Sequence, residues 1–299
     1  MIAWAIARRS GARFVMRMED LDERVRPEFY ARQLEDLAAL GLDWDSLVYQ
    51  SQRQDAYETA FARLQERGLL YECYCTRKDL AQVASAPHRP PGSYPGTCRN
   101  LTESEREAGR AKLAGMNRGP ALRLKTEVRE FTIVDEITGP YVGAVDDFVI
   151  RRGDGVFSYN FVSVYDDEFI TQVTRGNDLL PSTPRQVYLQ QLMGLATPQY
   201  FHVPMVLNSE GVRLAKRDGA VTMRALATYG WGAGDVAELI GRSLGLQGIR
   251  SAPDLLRGCV KNRSVAGVLS DFASEIGAHA LRSGPWLVDP QELTAGPQA

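Results

Sequence analysis

Residues 1–70 constrain the fold most, because glycines divide them into alternating helix-like and strand-like pieces. Met1 to about Ser10 is an apolar-faced stretch closed by Gly11. Arg13-Phe-Val-Met-Arg-Met18 then alternates apolar and polar, as a strand does, and runs into the acidic turn Glu19-Asp20-Leu21-Asp22. A Pro27-led helix follows with apolar residues at Phe29, Leu34, Leu37 and Leu40, and it stops at Gly41. Tyr57 to Arg67 is a further amphipathic helix, stopped at Gly68. Such alternation predicts an α/β fold with parallel strands and crossover helices. From Tyr71 to about Asn100 the pattern breaks: three of the four cysteines lie here with the loop His88-Arg-Pro-Pro-Gly-Ser-Tyr-Pro-Gly96, which cannot be helical. After Gly219 the chain reads as helical again, with a loose tail from Asp289.

The 299 residues carry 44% apolar and 24% charged side chains, ordinary for a globular protein with a real core. A net charge of −2 excludes a global basic field of the kind that marks nucleic-acid binders. That total conceals two opposite regions. Residues 76–130 hold eleven Lys and Arg against six Asp and Glu, whereas residues 135–178 hold three against nine. No apolar run approaches the roughly 18 to 20 residues of a membrane helix. The apolar start precedes Arg8-Arg9, the wrong order for a secretory signal, so no membrane and a cytoplasmic location are expected. Four cysteines are too few and too uneven for a disulfide framework, and the clustering of three suggests metal.

Three segments carry candidate chemistry. In Arg17-Met-Glu19-Asp20-Leu-Asp22 the period of two puts Arg17 and Glu19 on one face, at a strand end where open α/β sheets place ligands. A carboxylate there binds an ammonium group; the plainer alternative is a solvated acidic turn. Ser158-Tyr159-Asn160 and Val173-Thr-Arg175-Gly176-Asn-Asp178-Leu-Leu-Pro-Ser-Thr-Pro184-Arg185-Gln186 form the second set. Arg175 suits a fork-like grip on a carboxylate, and Ser182-Thr183-Pro184 opens a helix whose N-terminus favours anionic ligands. The third is the glycine-bracketed basic run in Gly211-Val-Arg213-Leu-Ala215-Lys216-Arg217-Asp-Gly219. It contains one of only five lysines in the chain. A mobile lysine can follow charge that develops on phosphate, although an exposed basic hairpin has the same composition.

Taken in order and at their spacing, these segments resemble the catalytic domain of class I glutamyl-tRNA synthetases, from Met1 to about Arg224. Arg17-Met-Glu-Asp-Leu-Asp22 matches that family's R-x-E-D-x-D, and Arg213-Leu-Ala-Lys216-Arg217 stands where it has K-[LM]-S-K-[RQ]. Within it the chain is most similar to the short paralogous family that acts on queuosine in tRNA(Asp). The resemblance implies that Glu19 and Tyr159 hold the α-amino end of L-glutamate and Arg175 its carboxylate. It implies that Lys216 binds the phosphates of ATP, supplied with Mg2+, and stabilises the transition state of adenylation. The glutamyl group would then pass to the cyclopentenediol of queuosine in the anticodon loop. Charging of tRNA(Glu) by a synthetase-like fragment is the enzymatic alternative, and an inactive tRNA- or glutamate-binding paralogue the other.

Cys73-x-Cys75 and Tyr94-x-x-x-Cys98 resemble the short family's C-x-C…Y-x-x-x-C zinc knuckle. Three thiolates beside a tight loop favour tetrahedral zinc on chemical grounds. By chemistry alone His88 is the expected fourth ligand, since imidazole is the commoner one; the family pattern points to Tyr94, which is preferred here. Cys259 reads as a core residue.

The expected architecture is thus a Rossmann-like class I synthetase catalytic domain with a zinc-bearing insertion and a short helical C-terminal extension. Its expected segments are 1–70 for the first part of the catalytic domain and 71–130 for the insertion. Residues 131–224 are its second part with the lysine loop, and 225–299 the helical extension and tail. About 80 residues follow the lysine loop, too few for the large helical anticodon-binding domain of full glutamyl-tRNA synthetases. The basic 76–130 region is then the expected contact for a tRNA stem-loop, and a monomer is expected. The sequence departs from the family in four places, one of them a Cys75–Tyr94 loop longer than the family's, which leaves His88 as a candidate ligand. The chain opens inside the first helix, and its earliest histidine is His88, so the family's first strand and H-x-G-H-type signature are missing. The expectation is either a start placed downstream of the true one or a truncated enzyme; as the chain is written a central strand of the sheet is absent, and adenylation is expected to be slow or nil. Ala215 and Arg213 replace the serine and first lysine of the lysine loop, while Lys216 is kept. The stretch from Asp167 to Arg175 is about two residues shorter than the family's usual form.

Overall fold

The computed structural model describes residues 1–21, 26–76, 78–80, 93–208, 210–212, 222–257, 286–288, 293 and 295–297. Asp22, His88, Lys216 and Cys259 lie outside them. The chain divides into two compact units. One comprises Met1–Tyr49, Thr174–Asp178 and Phe201–Ala299; the other comprises Gln50–Val173 and Leu179–Tyr200.

The first unit opens with α1 (Ile2–Arg9), which buries Trp4, Ala5, Ile6 and Ala7. Strand β1 (Val15–Met18) and strand β2 (Ser46–Tyr49) pair in parallel, Val15 opposite Ser46, with α2 (Pro27–Ala39) as the crossover between them. This is the expected parallel arrangement. Gly41 ends that crossover at φ +82°, a left-handed conformation that a side chain would strain. Arg8 fastens α1 to the chain before β2, bonding Asp43 at 3.0 Å and Asp45 at 2.6 Å. The same unit contains β10 (Val206–Asn208), α7 (Met223–Ala227), α8 (Ala233–Ser243), α9 (Asp254–Arg257) and β11 (Trp286–Val288). β10 and β11 pair in parallel, Val206 opposite Trp286, over an apolar cluster of Leu226, Val288 and Leu293. The C-terminal region, expected to be helical, therefore also supplies a strand.

In the second unit α3 (Gln54–Glu66) buries Tyr57, Ala60, Phe61 and Leu64. Strands β3 (Leu70–Cys73), β4 (Ala121–Leu124) and β7 (Val149–Arg151) form an antiparallel sheet in the order β3-β4-β7, with α4 (Glu103–Ala114) between β3 and β4 in the chain. Thr102 and Glu105 close a capping box at the start of α4. Hairpin β5 (Glu130–Asp135) and β6 (Gly139–Ala144) turns on Asp135, whose carboxylate accepts the Ile137 and Thr138 N–H groups. A four-stranded sheet runs β6-β5-β9-β8, in which β8 (Gln172–Gly176) and β9 (Gln199–Val203) are neighbours.

Helices α5 (Tyr159–Asp166) and α6 (Thr183–Met193) complete the second unit, and a buried carboxylate ties α5 to α3. Asp166, 3% exposed at its side chain, accepts hydrogen bonds from Gln50 at 2.8 Å and Tyr57 at 2.9 Å and pairs with Arg53 at 2.8 Å. Truncating one partner of such a network leaves the others buried and unpaired. Asp166→Ala is therefore expected to cost about 3–5 kcal/mol, lowering Tm by on the order of 10 °C in thermal denaturation.

Candidate metal centre and amino-acid site

Strand period two explains the first half of the cysteine cluster. Cys73 ends β3 facing inward beneath Tyr71, and Cys75, two residues on, returns to the same side. Tyr74 between them faces α4, where Gly109 permits close approach; a Cβ at Gly109 would lie 2.5 Å from the Tyr74 ring. Burial and the neighbouring Glu72 push the Tyr74 hydroxyl up to about 12.

The 93–98 segment brings the other donors. The three Sγ atoms lie within 4.8 Å of one another, with Cys75 to Cys98 at 3.6 Å. The Tyr94 hydroxyl lies 3.4 Å from Cys73 Sγ and 3.9 Å from Cys75 Sγ. These separations match the edges of a tetrahedron around a metal with sulfur ligands, about 3.8 Å for metal–sulfur bonds of about 2.3 Å. Outer contacts favour negative donors. The Tyr74 N–H donates to Cys98 Sγ at 3.4 Å, and the Cys98 N–H donates to the Tyr94 oxygen at 2.9 Å. The Arg123 guanidinium lies 3.6 Å over the Tyr94 ring. Hydrogen bonds from Cys75 and Cys98 hold the Cys73 thiol well below the ordinary thiol range, while contacts with Cys73 and Cys98 push Cys75 up. Asp146 secures the segment, accepting the Tyr94 N–H and pairing with Arg185 of α6.

The remaining sequence-predicted residues fall on element ends. Glu19 follows β1 and pairs with Arg17 at 3.4 Å, as the shared face predicts. Tyr159 opens α5 and is 42% exposed, after Ser158, whose hydroxyl caps the Phe161 N–H. Asn160 accepts from Gln186 at 3.1 Å. Arg175 lies near the end of β8, beside Gly176, where a Cβ would meet Asp178 at 2.6 Å and Met205 at 2.8 Å. The structure thus gathers Cys73, Cys75, Tyr94 and Cys98 into one cluster, within the second unit.

Residues 1–264 match the family described as class I tRNA synthetases (E and Q), catalytic domain. A relative from Nocardia farcinica, named glutamyl-Q tRNA(Asp) synthetase, is 55% identical over 82% of this chain and 78% of its own. The chain belongs to the glutamyl-Q tRNA(Asp) synthetase family. A glutamyl-Q tRNA(Asp) synthetase from Symbiobacterium thermophilum is 41% identical over 86% of this chain and 83% of its own. Membership makes the chain a class I ligase of the aminoacyl-tRNA synthetase type. Among solved structures, a glutamate tRNA ligase from Elizabethkingia meningosepticum, in complex with its amino acid, matches with TM-score 0.59 and 26% identity over 73% of this chain. The match covers 48% of that ligase, so this chain spans about half of its length. The glutamate-tRNA synthetase of Elizabethkingia anophelis matches with TM-score 0.65 and 21% identity over 97% of this chain and 64% of its own, a likeness of fold. Among the described residues no helix is long and apolar enough to cross a membrane.

Three residues of this glutamyl-Q tRNA(Asp) synthetase family member escaped sequence reasoning. Arg123 and Asp146 support the cysteine cluster, and His202 meets Arg175, whose Nε donates to His202 Nε2 at 3.1 Å. The signal for His202 was its rarity, as one of three histidines in the chain.

Proposed function

We propose that this chain activates L-glutamate with ATP and transfers the glutamyl group to queuosine in the anticodon loop of tRNA(Asp). The carrying observation is the 55% identity to the Nocardia farcinica relative of that name over most of both chains. Glu19 supplies a carboxylate for the glutamate ammonium, with the Tyr159 hydroxyl as its companion. Arg175 grips the substrate carboxylate through its planar fork. Lys216 follows the charge that builds on the phosphates as the glutamate carboxylate attacks the α-phosphorus and pyrophosphate leaves. A queuosine hydroxyl then attacks the adenylate's acyl carbon, forming an ester and releasing AMP. Mg2+ accompanies ATP and neutralises phosphate charge.

Cys73, Cys75, Tyr94 and Cys98 would hold zinc. Their donor set and separations fit it, and the ion would supply folding energy to the insertion. The basic 76–130 region offers phosphate contacts to the anticodon stem-loop of tRNA(Asp). The protein acts in the cytoplasm as a monomer. Glutamate-dependent exchange of labelled pyrophosphate into ATP tests the activation step. Exchange with L-glutamate and none with L-glutamine or L-aspartate, by this chain or by one extended to an upstream start, is the expected result; its absence with glutamate in both contradicts the reading.

A further inference from the structure

We infer that His202 is a positioning residue for Arg175: its neutral imidazole orients the guanidinium without cancelling the guanidinium's charge. The inference rests on the reading of Arg175 as the grip on the substrate carboxylate. Arg175 and His202 lie on β8 and β9, neighbouring strands of one sheet, and both belong to the first unit. His202 is 1% exposed, and its Nε2 receives the Arg175 Nε–H at 3.1 Å.

A ring nitrogen that accepts carries no hydrogen, so this contact requires the tautomer protonated at Nδ1 and an uncharged ring. The Nε–H bond lies in the guanidinium plane. Tethering it therefore fixes both the tilt of the plane and the direction of the Nη1/Nη2 fork. With the Nε edge committed to the imidazole, the substrate carboxylate meets that fork end on. The choice of residue has an electrostatic reason. Aspartate or glutamate at position 202 could orient the guanidinium equally well, but its charge would compete with the substrate carboxylate. Imidazole accepts the same hydrogen bond without bringing a negative charge of its own. A buried acceptor of this kind is pre-ordered, so little is lost in arranging it when substrate arrives.

The test is calorimetric titration of the full chain with L-glutamate, with Tm measured for every variant. His202→Gln places Oε1 near the position of Nε2 and keeps a neutral acceptor, whereas His202→Phe keeps ring volume without one. The expected result is about 10- to 100-fold weaker glutamate binding for His202→Phe, the range for a lost hydrogen bond to a charged group, and near-native binding for His202→Gln. In pyrophosphate exchange the Phe variant should raise KM for glutamate and leave KM for ATP unchanged. Should the Phe variant fail to fold, His202→Asn, whose Oδ1 falls short of the guanidinium, carries the same contrast against Gln. Glutamate binding by the acceptor-less variant within about twofold of the native chain overturns the inference, as does a Gln variant as weak as the Phe or Asn one. Arg175→Lys separates the two levels. Unchanged glutamate affinity in that variant overturns the reading of Arg175 itself, and the inference with it. A large loss there beside an unaffected His202→Phe overturns only the role of His202.

Discussion

A Cys98→Ala chain is expected to purify with almost no zinc, against about one ion per chain for the native protein. The reason is geometric. Cys98 lies 3.6 Å from Cys75 and accepts the Tyr74 N–H, so its removal opens the tetrahedron and frees the end of β3 together. The 93–98 segment is held otherwise by Tyr94, through its ring against Arg123 and its N–H to Asp146. Loss of the ion should therefore expose β3 and this segment to hydrogen exchange while α1, β1 and β2 of the other unit keep their protection. Tyr94→Phe keeps all three thiols and is expected to weaken zinc by about 10- to 100-fold without abolishing it. Cys259→Ala should leave zinc content unchanged. Zinc binding must displace the proton that Cys75 retains in the metal-free cluster, so affinity should fall as pH is lowered. Elemental analysis and competition with a chromogenic chelator measure both effects. Full zinc content in Cys98→Ala contradicts the assignment.

Lys216→Ala is expected to slow pyrophosphate exchange by about 100- to 1,000-fold, the range for removing one donor aimed at developing transition-state charge. The contact strengthens as negative charge accumulates on the phosphates, so kcat should carry the loss and KM for glutamate should change little. The neighbouring Arg213 and Arg217 are always charged, so their side chains are the natural comparison. Arg217→Ala should cost far less than Lys216→Ala if the position of the ammonium group matters and not merely the local charge. Unchanged Tm in both variants separates this from a folding effect. Equal losses in the two would make the segment a general phosphate-attracting surface.

The local features of this fold were legible because they depend on neighbours in sequence. Glycine stops at 11, 41 and 68 were readable, and each takes positive φ. The clustering of three cysteines suggested a metal, and the resemblance to the short family's C-x-C…Y-x-x-x-C pattern supplied Tyr94 where chemistry alone favoured His88. Non-local pairing was not legible in the same way. Trp286–Val288 is three residues long and pairs with Val206–Asn208, far back in the chain, so no local pattern marks it as a strand. The antiparallel β3-β4-β7 sheet depends likewise on partners separated by a helix and a loop. His202 in Phe201-His-Val reads as a core histidine until the adjacent strand brings Arg175 against it. For Glu19 and Lys216, residue chemistry alone left solvated surface as a fair alternative; the ordered motifs of the family supplied their roles.

The central claim is the transfer of glutamate to queuosine. Its most direct test incubates the purified chain with ATP, L-glutamate and queuosine-containing tRNA(Asp), then digests the tRNA to nucleosides for mass spectrometry. The account predicts that the queuosine peak shifts by the mass of one esterified glutamate, that the shift requires ATP, and that Lys216→Ala greatly reduces it. Unmodified queuosine in tRNA(Asp), beside glutamate attached to the 3′ end of tRNA(Glu) under the same conditions, would contradict it.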